Sequence, residues 1–118
     1  MSRTPSWAVC KVTDQGGFTI TLDFVEEHQN MKDHFINDCE WTIEQYNEIK
    51  NYFWFTAKVS AYKGSIEAGV AYLGGCCHKS LKDVLGSDIN SMLGGYMPQL
   101  IEEAIENANE ALSTPIEL

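Results

Sequence analysis

The densest group of reactive side chains in this sequence is Cys76-Cys77-His78, followed at once by Lys79 and Ser80. Cys39, His34 and His28 lie earlier. Thiols and imidazoles ligate metals, so structural zinc is the first chemistry to weigh. Such sites pair their cysteines as C-x2-4-C, which lets both sulfurs face one ion. Cys76 and Cys77 are adjacent instead, and neighbours on a strand point to opposite faces. The spacing predicts one cysteine buried as a small hydrophobe and one turned outward. We assign no metal and no cofactor. The second chemistry is nucleophilic. A cysteine becomes reactive when a cation, a helix N-terminus or a base lowers its pKa, and Cys77 has His78, Lys79 and a helix start at Ser80 beside it. A small thiol-dependent enzyme or ligand-binding domain using Cys77, His78 and His34 is therefore one alternative reading. No Asn or Asp partner can be assigned to it, and no family signature surrounds the cysteine.

Other catalytic patterns find less support. Paired carboxylates for glycoside chemistry need two acids held across a cleft, and a chain of 118 residues has little room for one. Gly74-Gly75 and Gly94-Gly95 form neither a P-loop nor a G-x-G-x-x-G. Direct nucleic-acid binding is disfavoured by charge. Phosphates attract Lys and Arg, whereas Asp and Glu number 17 against 8 Lys and Arg, a formal net charge of -9. Lys50, Lys58, Lys63 and Lys79, facing only Glu67, could touch an anion, but lysines that protect a strand edge explain them equally well.

The elements that must position these residues are readable in outline. Ala8 to Val12 reads as a strand, Asp14-Gln15-Gly16-Gly17 as a turn, and Phe18 to Val25 as a second strand whose Phe18, Ile20, Leu22 and Phe24 share one face. Glu26 to Asp38 has poor periodicity and reads as a loop or irregular extended segment. Thr42 and Gln45 form a capping box for a helix at about residues 43–51, with Trp41 and Tyr46 placed to staple its start. Phe53 to Tyr62 and Ile66 to Leu73 alternate as a second hairpin around Lys63-Gly64, and Gly74-Gly75 ends it. Gly69 on that strand signals a bulge or the close approach of another backbone. Ser80 caps a short helix ending at Gly86, and Ser87 caps a short turn that Gly94-Gly95 stops. Pro98 suits the first turn of a last helix. That helix carries the stripe Met97, Leu100, Ile101, Ala104, Ile105, Ala108, Ala111, Leu112, and Pro115 breaks it. The order predicts an α+β fold: an antiparallel sheet from two β-hairpins, covered on one face by the capped middle helix and the amphipathic C-terminal helix.

The length fits one domain over residues 1–118. Hydrophobic residues at 44%, with three Trp, five Tyr and five Phe, exclude a disordered acidic tail. No apolar run reaches the ~20 residues needed to span a bilayer, and Met1 to Pro5 lacks the apolar region of a secretory signal. We expect a cytoplasmic protein with reduced thiols.

The acidity clusters in Asp23 to Glu48 and again in the last third. Carboxylates at fixed spacing can imitate a phosphate backbone and be steered into a basic groove built for DNA or RNA. Many acidic proteins carry such charge for solubility alone. The segment Phe53 to Cys77, with Tyr72-Leu73-Gly74-Gly75-Cys76-Cys77, and the later Met97-Pro98-Gln99-Leu100-Ile101-Glu102-Glu103-Ala104-Ile105 resemble parts of small acidic accessory proteins carried by phages and plasmids. That resemblance implies a non-enzymatic, anti-CRISPR or anti-restriction type of inhibitor that binds a host nucleoprotein complex. It maps no functional residue. The contact residues expected from charge are Asp23, Glu26, Glu27, Glu102, Glu103, Glu106 and Glu110. The expected partner is a host protein or nucleoprotein with a basic groove, with neither nucleic acid nor membrane bound directly. A third reading is a homo-oligomeric module, possible through an aromatic patch of Trp7, Trp54 and Tyr62.

Overall fold

Strict alternation in the strands builds one four-stranded antiparallel meander, ordered β1-β2-β3-β4. The structure is a computed structural model and describes residues 10–113. The strands are β1 (Cys10–Gln15), β2 (Phe18–Glu26), β3 (Phe53–Lys63) and β4 (Ile66–His78). The helical segments are α1 (Met31–Asp33), a π-helical turn (His34–Asp38), α2 (Ile43–Ile49), α3 (Leu81–Leu85), a 3-10 turn (Met92–Gly95) and α4 (Met97–Ser113). This is the α+β arrangement that two hairpins and a striped C-terminal helix predict. Ala8 and Val9, expected in the first strand, lie outside the described residues, as do Trp7 and Pro115.

Register decides which face is apolar. Ile20 pairs with Ala61, Leu22 with Val59 and Phe24 with Ala57, while Val59 and Ala61 pair onward with Ala71 and Gly69. These residues share the inner face with Phe18, Phe55 and Cys76, and all but the glycine are core members. Packed against that face are Met97, Leu100, Ile101, Ala104 and Ala108 of α4, every one buried. Each large side chain so buried contributes about 1.5–3 kcal/mol. Val84 of α3 and Leu93 of the 3-10 turn are fully buried in the same core.

Gly69 explains how closely α4 sits. A Cβ there would overlap the Ala104 carbonyl and the Ala108 backbone. The expected bulge is present as well, because the register shifts between Ala61↔Gly69 and Tyr62↔Glu67. The short residues Gly69, Ala104 and Ala108 thus bring helix backbone onto strand backbone.

Three expectations need revision. Gly74-Gly75 does not end the strand. Phe55 pairs with Cys76 and Ala57 with Leu73, so the two glycines form a bulge opposite Thr56, with Gly75 at φ 66°. A glycine in the left-handed region is what such a bulge accepts without strain. The strand then continues to His78. Second, the segment after β2 is not irregular throughout, since α1 and the π-helical turn occupy Met31 to Asp38. Third, the capping box of Thr42 and Gln45 forms, but α2 buries no residue and packs chiefly on the π-helical turn. The inner-face cover is therefore supplied by α4. Trp41, expected to staple α2, packs against Phe35 with ring centroids 4.5 Å apart and planes tilted by 37°.

Candidate functional site

The two clusters of expected contact residues occupy different parts of the molecule. On α4, Glu102, Glu103, Glu106 and Glu110 are all exposed, because burial of the Met97-Leu100-Ile101-Ala104-Ala108 stripe turns the intervening positions outward. The helix contains no Lys, Arg or His. Glu102, Glu106 and Glu110 recur every four residues, so they form a row about 6 Å apart along the axis. Packing against the sheet fixes that row rigidly.

Asp23 stands on the opposite, outer face of the sheet, between the inward Leu22 and Phe24 and opposite Lys58. Its Oδ1 accepts from the Phe24 amide at 2.8 Å. Glu26 is exposed at the end of β2. Glu27 is committed internally. Its Oε1 accepts from the Thr56 hydroxyl at 3.2 Å and from the Gly75 amide, and its Oε2 accepts from the Gln29 amide at 3.0 Å. Partial burial opposes the charge, but the Gln29 and Gly75 amides and the Thr56 hydroxyl outweigh it and hold the carboxyl below its usual range. Glu27 therefore closes the β4 bulge, and the acidic surface does not depend on it. The structure thus gathers the α4 carboxylates and separates Asp23 from them.

The outer face of the sheet is largely open. Glu67 Oε2 is its hub, accepting from Ser60 Oγ at 3.0 Å and Tyr62 OH at 3.2 Å, with Lys58 Nζ at 3.4 Å. Burial disfavours the charge on Glu67, yet Ser60 and Lys58 overcome it and keep the carboxyl low. Lys58 is thereby neutralised rather than offered to an anion. The expected aromatic patch does not form as drawn: Trp54 is 1% exposed and Tyr62 half-buried. Tyr72 and Ile66 are the exposed large side chains near it.

Cys77, His78 and His34 do line one cleft, of about 390 Å³, together with Gly75, Leu93 and Tyr96. Its chemistry is unfavourable for a thiol nucleophile. Burial, reinforced by the Asp83 carboxylate, pushes the Cys77 thiol up to about 11, so on the order of one molecule in ten thousand is thiolate at neutral pH. His78 Nδ1 lies 3.0 Å from Asp83 Oδ2 and is held there. Cys76 points inward, as alternation predicts. Its Sγ donates to the Leu73 carbonyl at 3.2 Å, and burial likewise raises it to about 11. Among the described residues no group of three or more His, Cys, Asp or Glu is placed to hold a metal ion. No helix among them is long and apolar enough to cross a membrane.

One pairing was not foreseen. His34 Nε2 lies 3.6 Å from Cys39 Sγ. The two are five residues apart, and the π-helical turn, with the Cys39 amide donating to the His34 carbonyl at 3.0 Å, brings them together. Sequence reading assumes neighbours at three and four residues, so the signal is present only in the spacing. Trp54 anchors the segment: its Nε1 donates to the Gln29 carbonyl at 2.8 Å, and its ring packs 5.3 Å from His34 and 5.6 Å from Phe35.

No family model, curated protein or solved structure matches the chain.

Proposed function

We propose that this protein is a non-enzymatic binder that lays the outer face of α4 into the basic groove of a host nucleic-acid-binding complex and so excludes the nucleic acid. The observation that carries the reading is the α4 row itself. Four carboxylates between Glu102 and Glu110 cover about 12 Å of helix, roughly one charge per 4 Å. A nucleic-acid strand carries one charge per ~3.4 Å, so the linear densities are close. The helix itself carries no Lys, Arg or His, and a net charge of -9 steers the whole molecule toward a basic surface. Anti-CRISPR and anti-restriction inhibitors are the class this behaviour suits. Glu26, exposed at the end of β2, is a supplementary contact. Asp23 on the outer face and the internally bonded Glu27 are not needed by it.

Purified CRISPR effector and restriction complexes, tested for DNA binding at low and moderate salt with and without the protein, examine this reading. One complex should lose DNA binding, and the variant E102Q/E106Q/E110Q should need at least roughly 10-fold more protein for the same effect, a fraction of the loss that close charge pairs produce at interfaces. Undiminished DNA binding across the panel, or equal inhibition by the folded variant, would contradict it.

A further inference from the structure

The turn after β2 carries a constellation separate from the acidic helix. Cys39 is exposed, and its Sγ lies 3.6 Å from His34 Nε2. The other ring nitrogen, His34 Nδ1, is buried, has no hydrogen-bond partner among the described residues, and faces Asp38 Oδ2 at 3.8 Å. Asp38 is in turn held by Gln29, whose Nε2 donates to the same oxygen at 2.9 Å. The imidazole cannot drift, because Phe35 and Trp54 pack on it at centroid distances of 4.9 and 5.3 Å. Thiol, imidazole and carboxylate thus stand in sequence, each ring nitrogen facing one partner. This is the arrangement by which a base activates a nucleophile and a third group orients the base. The residue after Cys39, Glu40, sits at φ 58°, a conformation that costs a non-glycine residue energy.

We propose that Cys39 is a base-assisted thiol that exchanges with small-molecule disulfides, with His34 as its proton acceptor and Asp38 as a positioning residue. His34 Nε2 takes the Sγ proton, leaving an imidazolium beside the Asp38 carboxylate. The Cys39 sulfur attacks one sulfur of the disulfide. The new Sγ–S bond forms as the old S–S bond breaks, and the departing thiolate recovers the proton from His34. One disulfide is consumed, and one mixed disulfide and one free thiol are produced, with no net oxidation. The product places a substituent beside His34 and Phe35, which line the 390 Å³ cleft that also holds Cys77. The step does not depend on the α4 reading.

The test uses the full chain and the neutral chromogenic disulfide dithiodipyridine, with the modified cysteine assigned by peptide mass. Cys39 in the folded protein should react at least roughly 10-fold faster than the same cysteine in the guanidinium-unfolded chain, as base assistance requires. Cys76 and Cys77, both raised to about 11, should lag in the fold. H34Q should bring the Cys39 rate down to that of the unfolded chain, and D38N, at an exposed position, should lower it several-fold while leaving tryptophan fluorescence unchanged. A folded-state rate no higher than the unfolded one overturns the proposal. An unchanged rate in D38N overturns it as well, which keeps the test decisive if H34Q does not fold.

Discussion

At the residue scale, the carboxylates of this protein divide by what they touch. Glu27 and Glu67 are bonded into the sheet, and both are held below the usual carboxylate range. A carboxyl whose folded pKa is lowered adds stability that is present above its unfolded value, 4.5 here, and is lost as the pH falls through the folded value. E27Q/E67Q should therefore lose less stability than wild type between about pH 6 and about pH 3, measured by urea midpoints. At neutral pH, E27Q alone should cost about 1 kcal/mol, the modest figure expected for partly solvated hydrogen bonds to a charged group. An E27Q/E67Q acid profile that overlays wild type would show that these bonds add nothing to the fold. Little of this was legible in the sequence. Glu27 lies 48 residues from Gly75, and nothing local distinguishes it from the neighbouring Glu26, which is exposed. Cys76 and Cys77 were more legible, because strand alternation alone assigns one inward and one outward.

At the element scale, what could be read were features with a local cause. The Phe18-Ile20-Leu22-Phe24 alternation and the Thr42–Gln45 capping box form as written, and the α4 stripe is buried from Met97 to Ala108, whereas Ala111 and Leu112, expected to continue it, are exposed. What could not be read depended on distant partners. Gly74-Gly75 looks like a strand end until the Glu27 carboxylate, just past the end of β2, satisfies the bulge amide. Met31 to Asp38 has no clean 3.6-residue period, because half of it is a π-helical turn held by Trp54. The joint between α4 and the sheet offers the sharpest test at this scale. G69A places a methyl group into the backbone of Ala104 and Ala108. Backbone cannot rotate aside as a side chain can, so α4 must lift from the sheet, at a cost of roughly 1–3 kcal/mol or more. Chemical denaturation should show a lower midpoint, and an unchanged midpoint would mean that the helix does not pack on Gly69 as described.

At the scale of the whole molecule, the packing that stabilises the fold also sorts its charge. One stripe of α4 is buried, so the glutamates between must face solvent, in a row whose spacing the helix sets. The outer sheet face neutralises its own cation through Glu67, and the thiol cleft holds its cysteine protonated. The α4 row is thus a rigid run of exposed carboxylates that the fold presents to a partner. The most direct measurement is the salt dependence of affinity for the complex whose DNA binding the protein blocks, compared between wild type and E102Q/E106Q/E110Q. The wild-type dissociation constant should rise steeply between about 0.05 and about 0.3 M salt, as screening shortens the reach of the field. The variant should bind more weakly and show a distinctly shallower slope. Equal slopes for the two proteins would contradict the assignment of α4 as the binding face.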